Sequence, residues 1–228
     1  MLIKHFKKNE LGRDIAVGDI HGAFDRLEAS LARIGFDTEK DRLFSVGDLV
    51  DRNDGSGDAI RWLNEPWFHA VAGNHDQYVI DWRVRPVDKW VSEGGKWFQN
   101  YSDDVKDVWA EAFGQLPIGM EIVTEGGLVC VVHADVPFDT WWTYKEYLQS
   151  GDRRLAWVVR NFTQISRHRY AIQDTRPIKD IRALIVGHCR VKEPLIIGNV
   201  HHIDTEGWKN GYFTLYDLNT LESLNAKE

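Results

Sequence analysis

The sequence predicts an α/β fold with a layered β core and helices outside it. In the first half of the chain, short apolar segments alternate with amphipathic helical segments, a pattern typical of parallel strands joined by helices. Short apolar strands resume after residue 117. No internal repeat and no Pro/Gly/Ser-rich linker divides the 228 residues, so we expect a single domain over residues 1–228.

The first half repeats one plan three times: an apolar strand, a short polar loop and a helix. The predicted strands cover residues 14–17, 43–46 and 68–71. The helices after them are predicted at 24–34, around 59–63, and from the loop at 73–76 through residue 80. These three units predict neighbouring strands with substantial parallel pairing.

The second half begins with a tryptophan-rich stretch, residues 86–117, which is predicted to be mostly helical with a break at Gly94-Gly95. We expect its tryptophans, among them Trp90, Trp97 and Trp109, to lie in helix core rather than to form a substrate groove. Strands at 118–123 and 128–132 form a hairpin around the turn at 125–127. Further strands are predicted at 183–186, 195–197 and 212–218.

Composition excludes several classes of protein. The formal net charge is −7 and no dense Lys/Arg block occurs, which argues against a nucleic-acid partner. No apolar run approaches the ~18 residues of a membrane span, and the N-terminus lacks the apolar segment of a signal peptide. Cys130 and Cys189 are too few for a disulfide framework. We expect a cytoplasmic protein with no membrane partner, and the oligomeric state stays open.

Side chains that bind metals follow five of the predicted strands within a few residues. They are Asp19, His21, Asp48, Asn74, His133 and His188. Because ligands bind beyond the carboxyl ends of strands in open α/β sheets, these side chains should meet at one rim. Oxygen and imidazole ligands without thiolate suit manganese, iron or zinc. Six ligands suit two ions ~3.5–4 Å apart, and Asp48 could bridge them.

The motifs GDIHG at 18–22, GDLVDR at 47–52, GNHD at 73–76, VHAD at 132–135 and GHC at 187–189 occur in that order. With these motifs, the sequence resembles the metallophosphoesterase superfamily, and within it the phosphoprotein phosphatase type. The likeness is strongest to the lambda group of bacteriophage and bacterial protein phosphatases and covers nearly the whole chain. It implies a calcineurin-like β-sandwich flanked by helices.

The resemblance implies a role for each side chain of the set. The first metal would be held by Asp19, His21 and Asp48, and the second by Asp48, Asn74, His133 and His188. The remaining roles fall to His75 as general acid, Asp51 as the residue that orients it, and Arg52 and Arg160 as phosphate ligands.

The implied reaction is the hydrolysis of phosphate monoesters in phosphorylated proteins or peptides by direct attack of a metal-bridging hydroxide. The cofactors would be two divalent metal ions, with Mn²⁺ favoured and Fe or Zn as alternatives. General chemistry agrees with the roles, because histidine titrates near neutrality and can protonate an alkoxide leaving group. The planar fork of arginine matches the geometry of phosphate. Phosphoserine and phosphothreonine are the expected substrates, with phosphotyrosine left open.

Three departures from the family pattern limit what the resemblance implies. Asn53 stands where glycine usually follows Arg52, and Cys189-Arg190 stands where Thr-Pro is usual. Ala72 occupies the place of an arginine that precedes Gly-Asn-His in the lambda group. We hypothesise that Arg190 replaces this lost positive charge.

Two other functions remain as alternatives. A symmetrical diadenosine tetraphosphate hydrolase would share the scaffold, but His21 and Asp51 favour the phosphatase. A catalytically idle metal-binding module that recognises phosphorylated partners is disfavoured, because the whole set of ligands and the acid His75 are present.

Overall fold

Two β-sheets lie face to face, and helices cover the outer face of each. The computed structural model describes residues 2–225. One sheet has six strands in the order β1-β5-β6-β7-β9-β8, and the other has five in the order β11-β10-β2-β3-β4. Both sheets contain parallel and antiparallel pairs. The predicted α/β fold with a two-layered β core is confirmed.

The strands are short. The six-stranded sheet contains β1 (Ile3–Phe6), β5 (Gly119–Thr124), β6 (Gly127–Val132), β7 (Ala183–Val186), β8 (Leu195–Ile197) and β9 (Val200–His202). The five-stranded sheet contains β2 (Asp14–Val17), β3 (Arg42–Ser45), β4 (Phe68–Ala70), β10 (Leu215–Asp217) and β11 (Glu222–Ser223).

The central strands read as continuous apolar runs because both of their faces are buried. In β6, Val129 and Val131 face the layer between the sheets, whereas Cys130 and Val132 face the helices of the outer layer. This alternation follows from the two-residue period of a strand. Strands covered on both faces are therefore the ones that the sequence shows most clearly.

Nine α-helices lie in the described chain, in addition to one 3₁₀ helix (Asp54–Asp58). They are α1 (Phe24–Arg33), α2 (Ala59–Leu63), α3 (Asn74–Ile80), α4 (Val87–Ser92), α5 (Lys96–Gln99), α6 (Asp103–Gly114), α7 (Trp141–Leu148), α8 (Arg153–Ile165) and α9 (His168–Ile172). Apolar residues from α1 to α6 pack on the five-stranded sheet, and those of α7 and α8 pack on the six-stranded sheet. In α1 the buried residues Phe24, Leu27 and Leu31 recur at helical spacing and form one face. No helix within residues 2–225 is long and apolar enough to cross a membrane.

The structure differs from the sequence-based prediction in a few elements. The predicted strand at 212–218 shortens to β10, because residues 212–214 bond to a neighbouring side chain: the Thr205 hydroxyl contacts the carbonyl of Tyr212 and the side chain of Thr214. The strands β1, β9 and β11 and the helices α7 to α9 were not predicted. The hairpin of β5 and β6 is confirmed, with a turn at Glu125-Gly126.

The core between the sheets should dominate the stability of the fold. Ile185 of β7 is fully buried in it. We expect Ile185→Ala to lower the free energy of unfolding by about 2–5 kcal/mol, because the truncation loses apolar contacts and leaves a cavity. Urea denaturation monitored by circular dichroism measures the change. The matched control is Ile196→Ala, which should change it by less than about 0.5 kcal/mol, since Ile196 is 55% exposed.

Candidate metal centre

The side chains expected to bind metal lie beyond the carboxyl ends of five strands. Strand β2 leads to Asp19 and His21, β3 to Asp48, β4 to Asn74, β6 to His133 and β7 to His188. Strands β2, β3 and β4 run parallel to each other, and so do β6 and β7. Each sheet therefore delivers its polar side chains to one end, and the stacking of the sheets joins the two sets.

The carboxylate of Asp48 lies between two groups of imidazoles. Its Oδ2 atom is 3.5 Å from Nε2 of His21 and 3.5 Å from Nε2 of His133. Ligand atoms of His21, Asp48 and His75 all lie within 4.8 Å of one another, and so do those of Asp48, His133 and His188. Because Asp48 belongs to both groups, its carboxylate can reach two neighbouring cations.

Asp19 and Asn74 complete the cluster. Asp19 Oδ2 lies 4.0 Å from Nε2 of His21, and its Oδ1 lies 4.0 Å from Nδ1 of His133. Asn74 Oδ1 lies 3.1 Å from Nε2 of His133. The structure thus brings together all six side chains that the sequence singled out as ligands.

Backbone carbonyls orient two of the imidazoles. His21 Nδ1 lies 2.8 Å from the carbonyl oxygen of Val50, and His133 Nδ1 lies 2.8 Å from that of Val46. A carbonyl only accepts, so Nδ1 carries the hydrogen and Nε2 points towards Asp48, the arrangement usual for metal-binding histidines. Burial lowers the pKa of His21 well below its usual value and, together with the charge of His133, lowers the pKa of His188 to about 3. The imidazoles of His21 and His188 are therefore neutral and able to bind a metal.

Buried carboxyl groups crowd the same region. Burial raises the pKa of Asp19 well above its usual value, that of Asp76 to about 7 and that of Asp204 to about 6. Burial acts on Asp48 in the same direction, but the charge of His133 outweighs it and holds the pKa of Asp48 well below its usual value. Burial favours neutral His133, yet the Asp48 carboxylate raises its pKa to about 10. A cation would relieve this crowding of buried negative charge, and the oxygen and imidazole donors suit a divalent metal.

A second constellation lies beside the cluster. His75 Nδ1 is 2.8 Å from Oδ2 of Asp51, and both side chains are almost fully buried. Burial lowers the pKa of His75, but the carboxylates of Asp48 and Asp51 outweigh burial and raise it. The other ring nitrogen, Nε2, lies 3.1 Å from Nη2 of Arg52. Because a guanidinium only donates, Nε2 accepts in this contact; once Nε2 is protonated, its proton can pass to an anionic substrate bound beside the guanidinium.

A cavity of about 290 Å³ opens over these groups. Its lining includes four cationic side chains: Arg52, Lys89, Arg167 and Arg190. Arg160 does not line it, because its Nη2 atom donates to Oε1 of Gln77 at 2.6 Å. Positive charge at the mouth of this cavity therefore comes largely from residues outside the recognised motifs.

Sequence reasoning missed Arg167, Lys89 and Asp204 as lining residues. Arg167 lies in the short connection between α8 and α9, where no motif marks it. Asp204 follows β9 and lies outside the five motifs. Arg190 lines the cavity as the charge-replacement hypothesis requires, and its Nη1 lies 3.2 Å from Oε1 of Glu206.

Several residues in the loops that carry the cluster have a left-handed backbone conformation. Positive φ angles occur at His21 (45°), Asp48 (51°), Asp51 (72°), Arg52 (73°) and His188 (60°). Residues other than glycine rarely adopt this conformation, and they concentrate at functional sites. A glycine makes room for one of these loops: a Cβ atom on Gly73 would lie 2.2 Å from Oδ1 of Asp48.

Comparisons with known proteins agree with this geometry. The profile of the calcineurin-like phosphoesterase family matches residues 15–214. Serine/threonine-protein phosphatase 1 of Salmonella typhimurium is 33% identical over 205 residues, which cover 87% of this chain and 88% of that protein. Serine/threonine-protein phosphatase 2 of Escherichia coli is 29% identical over 206 residues, covering 89% and 91%. The symmetrical bis(5'-nucleosyl)-tetraphosphatase of Serratia proteamaculans is 42% identical, but only over 66 residues, 28% of this chain and 23% of that protein.

A solved structure adds a likeness of fold. A serine/threonine protein phosphatase from Saccharomyces cerevisiae superimposes with a TM-score of 0.61 at 16% identity, covering 88% of this chain and 70% of that one. At this identity the likeness speaks for the fold alone, and it agrees with the stacked sheets described above.

The position of Asp48 between the two imidazole groups makes a prediction for metal binding. We expect Asp48→Ala to lose both cations, because its carboxylate is common to both groups, whereas His21→Ala should keep one. Equilibrium dialysis followed by elemental analysis counts the ions per chain. Asp103→Ala serves as the control, since the Asp103 side chain is 69% exposed and lies outside the cluster. Two ions retained by Asp48→Ala would contradict the bridging position.

Proposed function

The chain belongs to the calcineurin-like phosphoesterase family, and we propose that it is a metal-dependent protein phosphatase that hydrolyses phosphoserine and phosphothreonine monoesters. One observation carries the proposal: the Asp48 carboxylate links two imidazole groups directly beside the buried His75–Asp51 pair. A cation site alone would also suit a binding module. A proton donor next to it suits the cleavage of an ester.

In this proposal Asp48 would contribute to both of two sites for divalent cations. Asp19 and His21 complete the first site, and Asn74, His133 and His188 complete the second. When bound, such cations supply a nucleophilic water at neutral pH and neutralise charge on phosphate oxygens. We favour Mn²⁺, because the mixed oxygen and imidazole donors suit it; iron and zinc accept the same donors.

The protein's own groups account for binding and proton transfer. The Arg52 guanidinium binds phosphate oxygens, since it is exposed at the cavity and is held over the ring of Trp208 at 4.5 Å. His75 donates its Nε2 proton to the departing oxygen, and Asp51 fixes the ring through Nδ1. The proposed contact of Arg160 with phosphate stays a prediction. Its bond to Gln77 favours Arg167 and Arg190 as the additional cations at the cavity.

The proposal extends to the number of domains, the partners and the cellular location. We propose a single domain, because both sheets contribute to one core and both supply side chains to one cluster. Phosphorylated proteins or peptides are the proposed partners, in agreement with the names of the relatives. The cytoplasm is the proposed location, as the composition suggests.

Metal removal is the first test. We expect chelation to abolish hydrolysis of p-nitrophenyl phosphate and Mn²⁺ to restore it, because the nucleophile depends on the cations. Steady-state rates before and after dialysis against a chelator measure this, with circular dichroism as the control for folding. Full activity after thorough metal removal would overturn the mechanism. Absence of turnover with every metal would instead favour an idle phosphate-recognition module.

The alternative substrate is a dinucleoside tetraphosphate, because a short stretch of the chain is 42% identical to a hydrolase of that name. We expect kcat/KM on phosphoserine and phosphothreonine peptides to exceed that on diadenosine tetraphosphate. The likeness to hydrolases of that name covers 28% of the chain in one case and 52% in another, whereas the likeness to the protein phosphatases covers 87–89%. A side-by-side assay with Mn²⁺ decides between the two, and the reverse order of efficiencies would assign the chain to the nucleotide substrate.

The role of His75 makes a separate prediction. His75→Asn should lower kcat on a phosphoserine peptide by about 10²–10⁴-fold, because an alkoxide leaves poorly without a proton donor. The loss on p-nitrophenyl phosphate should be much smaller, since p-nitrophenolate leaves readily. His168→Asn is the control, because His168 is exposed and outside the cavity over the metal cluster. Equal losses on both substrates would remove His75 from the acid role.

A further inference from the structure

Tryptophans of the helices α4 and α5 contact the side chain of Asp51. Trp90 Nε1 donates to both carboxylate oxygens of Asp51, at 3.1 and 3.0 Å, and Trp97 Nε1 donates to Oδ1 at 2.8 Å. His75 Nδ1 lies 2.8 Å from Oδ2. The carboxylate thus contacts three ring N–H groups, and Asp51 is 0% exposed. The expectation that these tryptophans lie in helix core is correct for Trp90, which is 2% exposed, but it did not foresee their polar contact.

A carboxylate without access to water needs hydrogen-bond donors to remain charged. The indole N–H suits this task because it only donates and is fixed in a rigid ring. Two indoles hold both oxygens of Asp51, so the carboxylate cannot rotate away from His75. The direction of the His75 ring therefore depends on groups two contacts away from it.

The aromatic packing fixes the indoles themselves. The Trp90 ring lies 4.9 Å from that of Phe98, and the Trp97 ring lies 5.1 Å from Phe98 and 5.0 Å from Trp109. Trp90 is almost fully buried, and Trp97 is half-buried. The donors are thus anchored in the core that α1 to α6 form on the five-stranded sheet.

The turn between the two helices also holds the backbone next to Asp51. Asp51 and Arg52 have φ angles of 72° and 73°, a conformation that persists only where the surroundings enforce it. The Arg52 amide donates to the carbonyl of Gly94 at 3.4 Å. Gly94 itself has φ 107°, and a Cβ atom there would lie 2.4 Å from the Arg52 nitrogen. The glycine permits the close approach that the strained turn needs.

We propose that Trp90 and Trp97 are positioning residues for the proton transfer, acting through Asp51 on His75. Neither indole donates to the metal-binding side chains, and Trp90 and Trp97 do not line the cavity over the metal cluster. The inference rests on the proposed function, in which His75 is the proton donor. If it holds, loss of an indole N–H matters most for substrates whose leaving group needs a proton.

Trp97→Phe is the central variant, because Trp97 is half-buried and phenylalanine keeps most of the ring contacts. We expect kcat on phenyl phosphate, a poor leaving group, to fall about tenfold, which is about 1.4 kcal/mol. On 2,4-dinitrophenyl phosphate the fall should stay below about twofold, because that group leaves without a proton. The matched control is Trp109→Phe in the same aromatic cluster, whose losses on the two substrates should be equal.

A double-mutant cycle separates the inference from the function on which it rests. Asp51→Asn should itself lower the rate on phenyl phosphate more than on the dinitrophenyl ester. Adding Trp97→Phe to Asp51→Asn should then cause no further leaving-group-dependent loss, since contacting residues that act through one another are not additive. If Asp51→Asn shows no dependence on the leaving group, the acid role in the proposed function fails. If the rate loss depends on the leaving group in Asp51→Asn but not in Trp97→Phe, the positioning inference fails while the function stands. The same conclusion follows if the losses of the two single variants add in the double variant.

A spectroscopic readout tests the contact without turnover. Among the ten tryptophans, Trp90→Phe and Trp97→Phe identify two indole N–H resonances in a ¹H–¹⁵N spectrum. Asp51→Asn should shift these two and leave the Trp109 resonance in place. Unmoved Trp90 and Trp97 signals in a protein with native circular dichroism would overturn the inference.

Discussion

The buried carboxylate of Asp48 is the constraint on which the rest of the site depends. Its Oδ2 lies between the imidazoles of His21 and His133, and its Oδ1 accepts the backbone N–H of His75. The backbone carbonyl oxygen of Asp48 accepts hydrogen bonds from the N–H groups of Ile20 and His21. One residue thereby ties together three loops that end three parallel strands. Without a cation this concentration of buried charge is unfavourable, so the arrangement makes sense as a site built around metal ions.

Two supports of different chemistry flank the cavity. On one side lie the carboxylates and oriented imidazoles of the candidate metal cluster. On the other side, the Asp51 carboxylate accepts hydrogen bonds from the indoles of Trp90 and Trp97 and contacts His75. Both sides rest on strained loops, because Asp48, Asp51 and Arg52 all have positive φ angles. Such strain of about 1–3 kcal/mol per residue is sustained by the two packed sheets, whose core places the loops and leaves them little freedom.

Much of the fold was visible in the sequence, for a physical reason. The strands β2 and β7 were predicted with their observed bounds, because strands buried on both faces are mostly apolar. The edge strand β1 was not predicted, since its central residues Lys4 and His5 are exposed and interrupt the run of apolar residues. The N-terminal end of β10 depends on a side-chain contact, because the hydroxyl of Thr205 contacts the carbonyl of Tyr212, seven residues along the chain.

The sequence by itself determined which residues could form the metal cluster, because each ligand follows a buried strand and the strand direction fixes the end at which it emerges. Tertiary structure alone decided the surroundings of the cluster. It places Arg167, which follows α8, at the cavity and Arg160 of α8 against Gln77, although the two residues are only seven positions apart in the chain. It also turns the indoles of Trp90 and Trp97 towards Asp51. A strand periodicity is local and can be read along the chain, whereas the partner of a helical side chain depends on how separate elements pack.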